Sequence, residues 1–197
     1  MYELEHQHTL KGAPGKIAVV GFVSRGRMGS YADALAEGAE TGTVPNTADV
    51  RHFNSRPGLN VNIAQQVASE VGVFARVGWA DGSVEPYEFT DIDRTASVGA
   101  SIAGSHWGRR NDVLGIATVI NGASDAHRAY LAAGGLGILV GDGQLPHPGV
   151  ESIVESYYRF PIGPWQLTAD YQLIVNPAFN RDRGPASVVS ARVRTQF

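Results

Sequence analysis

The sequence predicts an all-β protein, namely part of an antiparallel up-and-down transmembrane β-barrel with short helices in its loops. Three observations favour this class. Apolar and polar residues alternate along several segments. The segments are about ten residues long, the length of a tilted strand that crosses a bilayer. Turn-forming pairs such as Asp81-Gly82 and Asn121-Gly122 lie between them. No linker divides residues 1–197, so we treat them as one barrel segment of about nine strands.

The clearest alternation lies near the C-terminus. Between Trp165 and Val175 the odd positions are apolar and most even positions are polar. Residues 189–197 repeat the pattern, with Arg192 and Arg194 on the polar face. Two charged residues on one strand face indicate that this face meets water. We expect the opposite, apolar face to contact hydrocarbon tails.

Weaker versions of this pattern predict the other strands. They are expected near residues 3–9, 16–25, 59–67, 71–79, 96–102, 112–121 and 151–160. Two loop segments are predicted to be helical. The first is the alanine-rich stretch from Tyr31 to Glu40, and the second runs from Asp125 to Ala133 after Ser124, a suitable N-cap.

Composition excludes several classes of function. The chain has 16 Lys and Arg against 19 Asp and Glu, which argues against nucleic-acid binding. It has no cysteine, so disulfides, thiolate metal sites and cysteine nucleophiles are excluded. His6 and His8 have metal-ligand spacing but no third ligand nearby, and we predict a solvated strand face there.

The chain has no apolar run of about 18 residues, so a transmembrane helix is not predicted. It starts with Met-Tyr-Glu-Leu-Glu-His, which lacks the basic and apolar regions of a secretory signal. Taken alone, that start predicts a cytoplasmic protein, whereas the barrel pattern predicts an outer-membrane one.

One glycine-rich segment resembles a nucleotide site only superficially. Its spacing is Gly21-x4-Gly26-x2-Gly29, and Val23 occupies the position where a pyrophosphate needs a glycine. A dehydrogenase built around Gly21 would also require a parallel sheet. We therefore predict no cofactor.

Two carboxylate pairs have the composition of a glycosidase acid and base, Asp91 with Asp93 and Glu151 with Glu155. However, Glu151, Glu155 and Arg159 share one strand face, and a charged lumen explains them without catalysis. We predict no catalytic residue and no metal site.

Aromatic residues cluster near predicted strand ends. Rings at these positions are typical of the interfacial girdles of barrels, although ordinary core packing also uses them. They are Trp79, Trp107, Tyr157, Tyr158, Phe160, Trp165 and Phe197.

Several segments in order resemble the carbohydrate-selective porin family of the OprB type. They include Gly15-Lys-Ile-Ala-Val-Val-Gly-Phe22, Met28-Gly-Ser-Tyr-Ala32, Asn62-Ile-Ala-Gln-Gln66, Gly72-Val-Phe-Ala-Arg-Val-Gly-Trp-Ala-Asp-Gly82, Ile102-Ala-Gly-Ser-His-Trp-Gly-Arg-Arg-Asn-Asp-Val-Leu-Gly115, Glu155-Ser-Tyr-Tyr-Arg159 and Asp170-Tyr-Gln-Leu-Ile-Val-Asn-Pro177.

The resemblance implies a non-enzymatic outer-membrane porin that passes sugars by facilitated diffusion. It also implies that this chain corresponds to the C-terminal half of a larger barrel. A missing N-terminal half and a homo-oligomer both remain open as partners, beside outer-membrane lipid. The terminal Phe197 resembles the signal read by the barrel-assembly machinery.

Charged and amide side chains on the polar faces are the candidate channel-lining, sugar-contacting residues. Residues of opposite sign on neighbouring strands could also pair across the wall. The candidates are Glu70, Arg76, Glu151, Glu155, Arg159, Asp170, Gln172, Arg192 and Arg194.

The main alternative is a soluble β-sandwich, either a carbohydrate-binding module or a carboxylate-dependent glycoside hydrolase. It would stay monomeric without detergent. It explains the long strands poorly, since all their apolar faces would have to fit one dry core.

Overall fold

The computed structural model describes residues 1–87, 91–137 and 145–195. Within them nine strands form one sheet, and each strand pairs antiparallel with its neighbours in sequence. This confirms the predicted all-β antiparallel architecture. The strands are β1 (Tyr2–Leu10), β2 (Ala13–Met28), β3 (His52–Ala68), β4 (Val71–Ala80), β5 (Arg94–Ala103), β6 (Val113–Gly122), β7 (Glu151–Ile162), β8 (Trp165–Val175) and β9 (Ala186–Thr195).

Short and long connections alternate along the sheet. Tight turns join β1 to β2, β3 to β4 and β7 to β8, and we call their side of the sheet the turn end. In the first of these turns Lys11 and Gly12 have φ of 50° and 82°, the positive values that a two-residue hairpin turn requires. The opposite side, the loop end, carries the long connections 29–51, 81–93 and 123–150.

All nine predicted strands are present, but two are longer than predicted. β2 runs to Met28, and β3 begins at His52 rather than near residue 59. The additional pairs, such as Met28 with His52, lie at the loop end. There Met28 on the polar face is buried and Phe53 on the apolar face is exposed, so apolar residues occur on both faces and the alternation used for prediction is lost.

The two faces of the sheet differ in polarity and exposure. Residues directly opposite each other in a ladder share a face, so the register assigns every strand position. On one face Val77, Val98 and Ile116 are each 53% exposed. We call this the apolar face and the other the polar face. An apolar face so exposed to its surroundings is expected for a barrel wall in lipid and not for a sandwich core.

Two helices and a small hydrophobic core occupy the loop end. α1 (Tyr31–Thr41) and α2 (Asp125–Ala132) are both N-capped by serine, and Ser124 Oγ accepts from His127 N at 3.0 Å. The core contains Tyr31, Ala34, Ala123, Tyr130, Leu131, Leu145 and Phe179. No described helix has the length and apolar character needed to span a membrane.

The alternative folds do not fit this sheet. Gly21 lies within β2, which continues as one antiparallel strand beyond Gly26, so the strand–turn–helix of a dinucleotide site is absent there. All described strands belong to one sheet, whereas a sandwich needs two packed layers. In the described residues β1 pairs only with β2 and β9 only with β8, so the sheet is open.

Candidate channel wall

The polar face brings together eight of the nine predicted contact residues. Glu155 lies opposite Gln172, and Arg159 lies opposite Thr168, which in turn lies opposite Arg192. The same register continues through β6, β5 and β4 to Arg76. The residues sharing this face are Arg76, Glu151, Glu155, Arg159, Asp170, Gln172, Arg192 and Arg194. Their role as channel-lining residues stays a prediction.

A hydrogen-bonded polar cluster spans β7, β8 and β9. Gln172 Nε2 donates to Glu155 Oε2 and to Asp170 Oδ1, each at 3.3 Å. Ser190 Oγ donates to Asp170 Oδ1 at 3.1 Å. These contacts join side chains on the same face, so the cluster stabilises the sheet.

The arginines of the polar face differ in their surroundings. The Arg76 guanidinium lies 4.9 Å from the Phe74 ring centroid, within the range of a cation–π contact. Arg159 Nε is buried and has no hydrogen-bond partner among the described residues. Arg192 and Arg194 are exposed on the edge strand β9.

Glu151 and Glu70 lie at opposite ends of the strands. Glu151, at the loop end, accepts from Asn121 Nδ2 at 3.1 Å and from Ala178 N at 3.0 Å. Glu70 lies in the β3–β4 turn rather than in a strand. It accepts from Ser105 and approaches His106 Nε2 at 3.0 Å. Each of these two carboxylates therefore also links a connecting segment between strands to the sheet.

An open cavity of about 890 Å³ lies over the turn-end half of the polar face. Side chains from β2, β3, β4, β5, β6 and β7 line it. Because strands this far apart in the sheet share one cavity, the polar face is the concave face. The cavity is lined by Lys16, Gln66, Glu70, Phe74, Tyr157 and Arg159 among others.

One of the aromatic residues considered for an interfacial girdle does not lie on the apolar face. Tyr157 alternates with Tyr158 and lies on the polar face, opposite Gly115 and Asp170. The sequence does indicate this position, because residues two apart in a strand share a face and Tyr157 lies two residues from both Glu155 and Arg159. Tyr158 lies on the apolar face, where Trp107 Nε1 donates to its hydroxyl at 3.0 Å. Phe197 lies outside the described residues.

Sequence reasoning missed a buried ionic network at the loop end. Arg56 Nη2 donates to Asp93 Oδ1 at 2.6 Å, and His127 Nδ1 lies 3.0 Å from Asp93 Oδ2. The Ser124 amide also donates to Asp93, at 2.8 Å. The His127 ring is buried and stacks on Tyr31 with centroids 4.6 Å apart. No spacing in the sequence predicts this network, because its three members come from β3, a loop and α2.

The geometry explains the charge state of Asp93. Burial alone would raise its pKa, but the hydrogen bonds from His127, Ser124 and Arg56 outweigh it and lower the pKa below its ordinary value. Asp93 therefore remains ionised at neutral pH.

A second carboxylate, Glu85, anchors the loop before α1 and the loop before β3. It accepts from the Gly29 amide at 2.7 Å, from Thr47 Oγ1 at 2.7 Å and from Arg51 Nε at 2.6 Å. Burial would raise the pKa of Glu85, but these bonds together lower it. Among the described residues, no group of three or more His, Asp or Glu side chains is placed to hold a metal ion.

Comparison with known proteins agrees with this architecture. A search of curated proteins finds no match. The solved high-pH structure of Pseudomonas putida OprB matches with a TM-score of 0.79 and 19% sequence identity. The match covers 99% of this chain and 47% of that chain, so this chain spans about half its length. The model of the carbohydrate-selective porin, OprB family, matches residues 1–197, and the chain therefore belongs to that family.

Proposed function

We propose that this chain forms part of the wall of an outer-membrane porin through which sugars cross by facilitated diffusion. One observation carries the proposal: a concave polar face with charged residues on β4, β7, β8 and β9, backed by an exposed apolar face. Family membership supports it. The apolar face contacts lipid, and the concave face borders the water-filled lumen.

The residues of the polar face suit an uncharged, hydroxyl-rich solute. A sugar that enters a narrow lumen loses part of its hydration shell and needs replacement donors and acceptors. Carboxylates such as Glu155 and Asp170 accept from hydroxyls, and guanidinium groups such as Arg159 donate to them, through hydrogen bonds stronger than neutral ones. Because these groups line an open face rather than an enclosed pocket, each sugar exchanges quickly and leaves.

The same face argues for a non-enzymatic role. Glu155 bonds Gln172, and Glu151 bonds Asn121 and Ala178. Glu151 and Glu155 lie on the same face of β7 but at different heights along the wall. The arrangement provides successive weak contacts for a passing solute instead of one acid and one base around a bond.

Sugar entry into vesicles tests the proposal. Protein extracted from the membrane in its native assembly and reconstituted into liposomes is expected to admit monosaccharides, detected by osmotic swelling. Protein-free liposomes are the control. Swelling no faster than in protein-free liposomes would overturn the proposal.

Cysteine labelling tests the assignment of the two faces. The chain has no native cysteine, so single cysteines report one position each. In reconstituted protein, Ala117→Cys on the polar face is expected to react with a membrane-impermeant thiol reagent, and Ile116→Cys on the apolar face is not. The opposite pattern would show that the lumen borders the apolar face, which would contradict the proposed assignment.

A further inference from the structure

The polar face of β5 and β6 carries a strip of small residues beneath the cavity. Gly99 and Ser101 lie on β5, and Gly115 and Ala117 lie opposite them on β6. No bulky side chain rises from this strip, so the backbone forms its floor. Rings from neighbouring strands can therefore lie directly over it.

Tyr157 covers one part of this floor with its ring. It lies directly opposite Gly115 across the β6–β7 ladder. A Cβ atom placed on Gly115 would come within 2.1 Å of Tyr157 Cε1, closer than such atoms approach in proteins. The ring therefore rests against the Gly115 backbone and depends on the absence of a side chain there. Tyr157 is also among the residues that line the cavity.

Polar groups suited to hydroxyls surround this ring. Arg159 lies two residues further along β7 on the same face, lines the cavity and has a buried Nε without a hydrogen-bond partner among the described residues. Asp170 lies opposite Tyr157 on β8. Ser101, opposite Gly115, is exposed beside the ring.

We propose that Tyr157 is a sugar-stacking residue of the lumen and that Arg159 and Asp170 bind the hydroxyls of the stacked sugar. A pyranose has flat faces of C–H groups, which carry partial positive charge, and an aromatic ring face is negative. Its equatorial hydroxyls point outward, towards donors and acceptors around the ring. This inference rests on the proposed function, because it requires that face to border a wet lumen.

A matched aromatic on the same face provides the control. Phe22 lies opposite Gly58 and covers it in the same way, since a Cβ atom placed on Gly58 would lie only 2.2 Å from Phe22 Cζ. Phe22 is not among the residues that line the cavity. A change at Phe22 therefore repeats the loss of a ring over glycine without touching the proposed sugar site.

The test uses Ser101→Cys as a reporter in reconstituted protein in its native assembly. The rate of its labelling by an impermeant thiol reagent is measured with increasing glucose, and with sorbitol as an open-chain polyol that has no ring face. Glucose is expected to protect the cysteine at lower concentration than sorbitol. Adding Tyr157→Leu is expected to raise the protecting glucose concentration about two- to tenfold, the value of one aromatic contact.

Further variants separate stacking from a general effect on folding. Tyr157→Phe keeps the ring and is expected to keep protection, and so is Phe22→Leu. Gly115→Ala displaces the ring and is expected to weaken protection, whereas Gly21→Ala, whose Cβ meets nothing within 4 Å, is not. Equal protection in the original protein and in Tyr157→Leu would overturn this inference alone. A reporter cysteine that never reacts would overturn the proposed wet lumen and this inference with it.

Discussion

At the scale of single residues, Arg56 is a charged side chain buried at the loop end and paired with a buried carboxylate. Its side chain is 7% exposed and its partner Asp93 is 1% exposed. Removing one member of a buried ion pair leaves an uncompensated charge, which costs about 3–5 kcal/mol. Arg56→Met is therefore expected to destabilise the loop-end core by that amount, measured by denaturant unfolding followed through the near-UV signal of Tyr31 and Tyr130.

The control for Arg56 is an exposed pair in the same region. Arg128 and Asp125 are 39% and 86% exposed, and pairs of this kind contribute about 0–1 kcal/mol. Arg128→Met is expected to leave unfolding nearly unchanged. Equal effects of the two substitutions would show that burial of Arg56 does not govern stability at the loop end.

The residue scale also shows where sequence reasoning succeeds. Arg159, Asp170 and Arg192 could be assigned to one face because a strand repeats every two residues, and that rule is local. The Arg56–Asp93–His127 network could not be predicted. Its members contact one another only through the packing of loops, which follows no period.

At the scale of elements, each strand presents one apolar and one polar face, which the proposed function assigns to lipid and to water. Ile116 and Ala117 are neighbours in the middle of β6 on opposite faces, and Ala117 lies opposite Glu155. An arginine facing lipid near the bilayer midplane costs about 2–4 kcal/mol. Ile116→Arg is expected to destabilise the reconstituted protein by this amount, whereas Ala117→Arg, beside a carboxylate and water, costs far less. Equilibrium unfolding in vesicles measures both, and a larger cost for Ala117→Arg would contradict the assignment.

The loop-end core and the sheet are expected to respond differently to acid. Asp93 and Glu85 have ordinary pKa values of 3.8 and 4.5, and both pKa values are lowered in the folded protein. A carboxyl whose pKa is lower in the folded than in the unfolded protein stabilises the fold at pH values above its ordinary pKa. This stabilisation is lost as the pH falls through the pKa of the folded protein. We expect the near-UV signal of the core to decline with acid below pH 3.8, before the far-UV signal of the sheet.

The acid prediction has a clear contrary outcome. A near-UV signal that persists at a pH where all carboxyls are protonated would show that neither Asp93 nor Glu85 is needed in its charged form to hold the core. Coincident loss of both signals would show that the core and the sheet unfold as one unit. Either result would contradict the expectation that acid unfolds the loop-end core before the sheet.

At the scale of the whole molecule, the number and order of strands and the inward side of the sheet could be predicted, but the detailed curvature of the sheet could not. Alternation and turn residues determine where strands begin and end, as between Trp165 and Val175. Curvature arises from the register of all the ladders together. The small residues that permit it on the polar face, such as Gly99 and Gly115, are recognised only once their aromatic partners on the next strand are known.

The proposed passage of sugars depends on closure of the sheet. The outer edges of β1 and β9 are unpaired in the described residues. An unpaired backbone group in hydrocarbon costs several kcal/mol, so edges exposed to lipid are not stable there. If nine strands closed on themselves, the barrel would be so narrow that side chains would fill it. We therefore expect the 197-residue chain, refolded alone into planar bilayers, to lack a stable sugar-conducting channel, while the native assembly conducts. Single-channel recording distinguishes the two, and porin-sized conductance from the refolded chain would show that its own edges suffice to close the wall.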